Sequence, residues 1–94
     1  MNKHHQYILR EAACTTTTIF SEQVNPLFVF HNIEHTRRVV RAVEEIMADY
    51  KLEELDEFAI LLSAWFHDTG FNAGYLENHE TQSIKIATDF LTRY

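Results

Sequence analysis

The segment EELDEFAILLSAWFHDTG, residues 53–70, sets the architecture expected of this 94-residue chain. It opens with acidic residues, which the positive end of a helix dipole favours. Residues 58–66 are apolar on every side of a helix, and such a helix is stable only when other elements bury it. The segment therefore predicts a central helix that begins near Glu53 and ends before a His-Asp-Thr-Gly break.

Three further helices are predicted around the central one, because apolar side chains recur at three- and four-residue steps. The first spans about residues 4–23 and is closed by Pro26, and the second spans about 32–50. The fourth begins near Asn78, or one turn earlier, and keeps one apolar face as far as Tyr94. With two glycines and one proline, the chain has too few turn residues for a multi-stranded β architecture. The predicted fold class is all-α, a bundle of about four helices.

Composition limits the classes of function. A chain of this length, 46% hydrophobic, buries one core, so residues 1–94 are predicted to be a single domain. Its formal charge of −6 has the wrong sign for a nucleic-acid scaffold. No apolar run reaches the length of a membrane span, and the single Cys14 forms no internal disulfide. We expect a cytoplasmic protein with no membrane contact.

The fourth helix is still periodic where the sequence ends. No Gly, Pro or polar run follows Leu91, which predicts an incomplete domain; the alternative is a terminus that frays into solvent. Four helices would leave apolar surface on the central one uncovered, and large exposed apolar patches are rare on monomers. We therefore expect association with a second copy as a homo-oligomer, exchange of a helix, or weakly cooperative unfolding.

Two of the six histidines lie at the start of the second helix. His31 and His35 are four residues apart, so they share one helix face if the second helix extends to both of them. His35 also falls on the apolar stripe that continues through Val39 and Val43, so it is predicted to point inward. The alternative is a hydrogen-bonded core histidine that binds nothing.

The remaining inward-facing polar groups lie on the third and fourth helices. His67 and Asp68 end the most apolar helix, where burying an imidazole and a carboxylate is costly unless they are paired or bind a cation. Pairing of Asp68 with a nearby base, or a capping role, is the alternative. His79 and Glu80 are predicted on the inner face of the fourth helix. The two N-terminal histidines, His4 and His5, are predicted to be solvated.

Imidazole and carboxylate groups together are typical ligands of divalent metal ions such as Zn, Mn and Fe. Calcium prefers mainly oxygen ligands, and the spacing is not that of a zinc finger. The sequence contains neither a nucleophile triad nor a glycine-rich phosphate loop. A helical histidine-phosphotransfer domain is a further alternative, but it needs an exposed histidine.

Three blocks of the sequence resemble the HD-domain metal-dependent phosphohydrolases in their order and spacing. They are FHNIEHTRRVV at 30–40, WFHDTG at 65–70 and NHETQS at 78–83. The first block is also similar to the corresponding stretch of cyclic-nucleotide phosphodiesterases, a distant branch of that superfamily. The resemblance implies an HD-domain-like helical bundle, of which residues 1–94 are the N-terminal part.

The resemblance also implies a metal site. His35, His67 and Asp68 would bind the principal ion, with Asp68 bridging to a second ion held by His79. One or two divalent ions are implied, with Mn, Fe, Zn, Mg, Co or Ni as candidates. The implied chemistry is hydrolysis of phosphomonoesters, phosphodiesters or nucleoside polyphosphates, so the expected partner is a small phosphorylated substrate such as a nucleotide.

The resemblance places three residues in catalysis: His31, Asp68 and Glu80. His31 matches the position that donates a proton to the leaving oxygen in the phosphodiesterase branch. Arg37 or Arg38 could offset phosphate charge, although an exposed helix pair with Glu34 explains them equally well.

One family feature is missing. HD-domain enzymes close the site with an aspartate on a later helix, and the other aspartates here are Asp49, Asp56 and Asp89. Each lies about 15 Å or more along its helix from the nearest predicted ligand, at a rise of about 1.5 Å per residue. A catalytically deficient metal- or nucleotide-binding module is therefore the alternative function.

Overall fold

The computed structural model contains four helices and describes residues 1–22, 32–70 and 79–94. In chain order, the helices are α1 (Lys3–Glu22), α2 (Ile33–Met47), α3 (Glu54–Phe66) and α4 (His79–Leu91). No strand occurs in those three ranges, so the predicted all-α class is confirmed. Pro26 and His31 lie outside the described residues.

The α3 helix is central, as its sequence predicts. It packs against α1, α2 and α4. One face joins the side chains of α1 and α4 in a core that consists of Ile8, Ala12, Phe58, Leu62, Phe66 and Phe90. The opposite face packs on α2 through a second cluster formed by Val40, Leu61 and Ala64. This arrangement places the C-terminal end of α3 between α2 and α4.

The α2 helix begins close to its predicted start and ends earlier than its periodicity suggests. Asn32 caps it, since the Asn32 side chain accepts a hydrogen bond from the His35 N–H at 2.8 Å. The helix ends at Met47 and not at Tyr50, and a tighter turn continues to Tyr50. Ile46 and Tyr50 belong to the predicted apolar stripe but are 61% and 64% exposed, so none of the described residues buries them and extends the helix.

The N-terminal end of α1 is attached to the first turn of α3. Asn2 donates its side-chain amide to the Glu54 carboxylate at 2.8 Å and accepts from the His5 N–H at 2.7 Å. The His5 ring stacks on Phe58 with centroids 4.3 Å apart, and its Nδ1 lies 3.1 Å from the same carboxylate. The prediction that His5 is solvated is therefore wrong, because α3 offers it both an aromatic face and a carboxylate one turn apart.

Apolar surface is left uncovered, as the sequence suggests. Large exposed apolar side chains lie on all four helices, and examples are Tyr7, Ile46, Ile60, Ile84 and Leu91. Association with a second copy stays a prediction. Among the described helices, none combines the length and the apolar character that crossing a bilayer requires.

Two buried threonines differ in what their hydroxyl groups contact. Thr16 and Thr36 are both 0% exposed. The Thr16 hydroxyl donates to the Ala12 carbonyl at 2.8 Å, as β-hydroxyl side chains in helices often do. Among the described residues, none forms a hydrogen bond with the Thr36 Oγ1. Burying a hydroxyl that makes no hydrogen bond has a desolvation cost that no interaction offsets.

We expect Thr36→Val to raise the free energy of unfolding by about 1 kcal/mol, because it replaces an unpaired buried hydroxyl with a methyl group of similar size. The matched variant Thr16→Val should lower it by up to about 1 kcal/mol, because a made hydrogen bond is lost. Urea denaturation of the two variants measures both changes. A Thr36→Val protein less stable than the Thr16→Val protein would contradict the assignment.

Candidate metal centre

The residues after α3 form a short turn, 67–70, that carries the His-Asp pair. His67 is the C-cap of α3 and keeps helical backbone angles. The Thr69 hydroxyl donates to the Phe66 carbonyl at 2.8 Å, which satisfies one of the acceptors that a helix end leaves unpaired. Asp68, Thr69 and Gly70 are all buried. The turn therefore holds a carboxylate inside the protein at the end of the central helix.

A serine of α4 joins that helix to the 67–70 turn. The buried Ser83 Oγ accepts from the Gly70 N–H at 2.8 Å and donates to the His67 carbonyl at 2.9 Å. Gly70 also lies directly against the first residue of α4, since a Cβ at this position would overlap the His79 carbonyl. Only glycine allows so close an approach. The Thr-Gly pair and Ser83 thus fix where α4 begins relative to α3.

We expect Ser83→Ala to lower the free energy of unfolding by about 1–3 kcal/mol, because it leaves the buried Gly70 N–H without its acceptor. Ser63→Ala is the matched control, since Ser63 is an exposed α3 serine whose hydroxyl bonds only the carbonyl of Ala59. That control should change stability by less than about 0.5 kcal/mol. Equal effects of the two variants in thermal denaturation would show that Ser83 does not hold the turn.

Three predicted ligands come together where α2 meets the 67–70 turn. His35 Nε2 lies 3.6 Å from Asp68 Oδ2, and His67 Nε2 lies 3.2 Å from the same oxygen. The two imidazole rings are 5.7 Å apart between centroids. One ligand atom from each of the three residues lies within 4.8 Å of the other two. We call this group the His-Asp cluster.

The hydrogen bonding of His67 orients its ring for a cation. Its Nδ1 lies 2.7 Å from the Ala64 carbonyl, and because a carbonyl only accepts, Nδ1 carries the proton. In the neutral imidazole, Nε2 then presents a lone pair toward the Asp68 carboxylate. Two acceptors at 3.2 Å repel each other unless a proton or a metal ion lies beside them. A backbone carbonyl on the far nitrogen is also the usual support of a metal-binding histidine.

The donor set of the cluster suits a divalent metal ion. It offers two imidazole nitrogens and one carboxylate oxygen, the ligand types of Zn and related ions. The Asp68 side chain is 9% exposed, whereas those of His35 and His67 are 41% and 35% exposed. The negative charge is therefore inside, and the two imidazoles separate it from solvent. That these residues bind a metal stays a prediction.

Without a metal, Asp68 raises the pKa of His67 above its ordinary value of 6.5. The main cause is the hydrogen bond to the carboxylate; the bond to the Ala64 carbonyl acts in the same direction, and burial opposes both. Because the folded pKa is raised, protonated His67 stabilises the metal-free fold fully below pH 6.5. That stabilisation is lost as the pH rises through the folded pKa.

We expect an NMR titration of the metal-free protein to show His67 titrating above 6.5, its ordinary value. In Asp68→Asn the pKa should fall, because the largest cause of the shift is removed. Metal-free wild-type protein should also lose more stability than Asp68→Asn between pH 6 and pH 8. An unchanged His67 titration in Asp68→Asn would contradict this account.

The other predicted site residues are placed differently. His79 is the first residue of α4 and half-buried, and it is not a member of the His-Asp cluster. Glu80 is exposed and lines a cavity of about 270 Å³ together with His67. His31 lies outside the described residues. Arg37 pairs with Glu34 at 2.8 Å. This is a surface helix pair of the kind considered as the alternative, but the arginine is Arg37 and not Arg38.

The aspartates that the sequence rejects as ligands stay apart from the site. Asp49 and Asp56 are exposed, and Asp89 lines a separate cavity between α1 and α4. Within the described ranges, Asp68 is the only carboxylate of the His-Asp cluster. The role of Ser83 was not predicted from the sequence, although its position signals one, since Ser83 is a polar residue on the apolar face of α4.

Comparison with protein-family models, with curated proteins and with solved structures finds no match to this chain.

Proposed function

We propose that this chain is a metal-dependent phosphohydrolase of the HD-domain kind, hydrolysing a phosphate ester or a nucleotide. The observation that carries the proposal is the His-Asp cluster. His35 comes from α2, whereas His67 and Asp68 come from the 67–70 turn that follows α3, and the three residues present ligand atoms within 4.8 Å of one another. These are also the residues that the resemblance to HD-domain enzymes selects.

Each residue of the cluster would have a separate task. Asp68 supplies the negative charge and lies between the two imidazoles, at 3.6 and 3.2 Å. His67 is held by the Ala64 carbonyl with Nε2 toward the cluster. His35 is fixed by the Asn32 cap in the first turn of α2. A divalent ion bound there would supply Lewis-acid chemistry, activating water and offsetting the charge of a phosphate group.

The remaining roles rest on the resemblance. His79 would hold a second ion and Glu80 would act beside it, and both lie in the first turn of α4. The first turn of α4 lies against Gly70, because the His79 carbonyl occupies the space that a Cβ on Gly70 would need. The start of α4 is therefore next to the 67–70 turn that carries His67 and Asp68. His31 would donate a proton to the leaving oxygen.

A second function is favoured by one observation. In the ranges 1–22, 32–70 and 79–94, the His-Asp cluster contains a single carboxylate, Asp68. The closing aspartate of HD-domain enzymes has no counterpart there. The alternative is a metal- or nucleotide-binding module that does not hydrolyse its ligand.

Metal titration and elemental analysis test the site itself. We expect wild-type protein to bind Mn²⁺ or Zn²⁺ stoichiometrically, and His35→Ala, His67→Ala and Asp68→Asn to lose the ion, because each removes one ligand of the cluster. His4→Ala is the matched control, since His4 is exposed on α1. Full occupancy in His67→Ala would overturn the metal assignment.

Activity assays on the metal-loaded protein then distinguish the hydrolase from the binding module. Release of inorganic phosphate from a panel of phosphomonoesters, phosphodiesters and nucleotides, abolished in Asp68→Asn, supports the hydrolase. Tight metal binding with no turnover on the whole panel supports the binding module.

A further inference from the structure

A cavity of about 270 Å³ lies between α3 and α4. Its walls are mainly apolar, formed by Phe66, Ile84 and Ala87, with Ser63 at one side. His67 and Glu80 also line it. The Ile84 side chain is 68% exposed, so the cavity opens to solvent. We call it the α3–α4 cavity.

The α3–α4 cavity and the His-Asp cluster have one residue in common. His67 is a member of the cluster and also lines the cavity, whereas His35 and Asp68 do not line it. A phosphate group held at the cluster would therefore reach the cavity past the His67 side chain. The organic group of a phosphate ester, which is bonded to one phosphate oxygen, would then extend into the cavity.

The charge of the cavity limits what that organic group is. Among the described residues that line it there is no lysine or arginine, and His67 is neutral when its Nε2 binds a metal ion, so Glu80 is then the one charged side chain. When only the His-Asp cluster holds an ion, a second phosphate or another anionic group would meet this carboxylate with no lysine or arginine in the cavity wall to offset it. A hydroxyl or an ammonium group could instead donate a hydrogen bond to Glu80.

The size of the cavity sets a second limit. An engineered protein cavity of about 150 Å³ accepts benzene, so about 270 Å³ has room for one substituted ring or a branched chain of similar size. The mainly apolar walls favour such a group over a sugar, because most of a sugar's several hydroxyls would lose water without gaining a partner.

We propose that the α3–α4 cavity binds the organic group of the substrate, and that this group is an uncharged or cationic, largely apolar unit of about one ring. The substrate class is then a phosphomonoester of an aromatic or branched alcohol, and not a nucleoside di- or triphosphate. This inference rests on the proposed function, since it takes the phosphate to lie at the His-Asp cluster.

Binding of non-hydrolysable phosphonates to the Mn²⁺-loaded protein tests the inference without any turnover. Calorimetry should show phenylphosphonate binding about tenfold more tightly than methylphosphonate, because the ring is buried against apolar walls. Adding a negative charge, as in 4-carboxyphenylphosphonate, should remove that advantage, and Glu80→Gln should restore part of it.

Substitutions of the cavity-lining residues test whether the phenyl group binds in the α3–α4 cavity. Ile84→Ser should reduce the preference for the phenyl group severalfold and leave methylphosphonate binding unchanged. Ile46→Ser is the matched control, because Ile46 is a similarly exposed isoleucine on α2 that does not line the cavity. Ala87→Leu, which fills the cavity, is a second test, and circular dichroism checks that each variant is folded.

The outcomes are distinguishable. Equal affinity for the two phosphonates in wild-type protein that binds Mn²⁺ overturns this inference and leaves the proposed function standing. Failure of wild-type protein to bind any divalent ion overturns the proposed function, and the inference with it. A dimer in sedimentation experiments that Ile84→Ser dissociates, with no change in phosphonate binding, would assign the cavity to a second copy of the chain and overturn the inference.

Discussion

The hydroxyl of Ser83 connects the two parts of the molecule on which the candidate site depends. It bonds both the Gly70 N–H and the His67 carbonyl, so one α4 side chain joins that helix to two groups of the turn that follows α3. The end of a helix leaves carbonyl groups without intrahelical partners, and in a buried position these groups need another donor. Ser83 supplies that donor from a different helix. The position of the His-Asp cluster relative to α4, and the cavity between α3 and α4, both follow from this contact.

The charge of Asp68 imposes a second constraint at the same place. A carboxylate that is 9% exposed is costly unless positive charge lies beside it, and the described neighbours are imidazoles. Imidazoles differ from lysine or arginine because they lose their proton near neutral pH. On the proposed function, the site would exchange a proton for a metal ion. A lysine or arginine in place of His35 or His67 would also offset the charge of Asp68, but it would remove one of the three potential ligands.

Much of the fold could be predicted from the sequence because the helices are strongly periodic. The apolar run of α3 identified the central helix. His35 lies on the apolar stripe of α2, and His67 and Asp68 follow the apolar run of α3, so these three residues were expected to meet. The sequence could not predict where α2 ends, because the exposure of Ile46 and Tyr50 depends on the absence of a packing partner among the described residues. It also missed His5, whose burial depends on Phe58 and Glu54 from a helix about fifty residues away. Local pattern carries no information on such contacts.

The attachment of Asn2 to Glu54 joins residues 52 positions apart in sequence. By contrast, α2 and α3 are neighbours along the chain, so their contact closes only a short loop. The contact between α1 and α3 closes a much longer segment, which includes α2. Docking of α1 is therefore expected late in folding. Until it docks, Phe58, Leu62 and Phe66 lack Ile8 and Ala12 as partners in their core cluster. The first helix would thus make folding cooperative, because it completes the core only when segments about fifty residues apart in sequence have met.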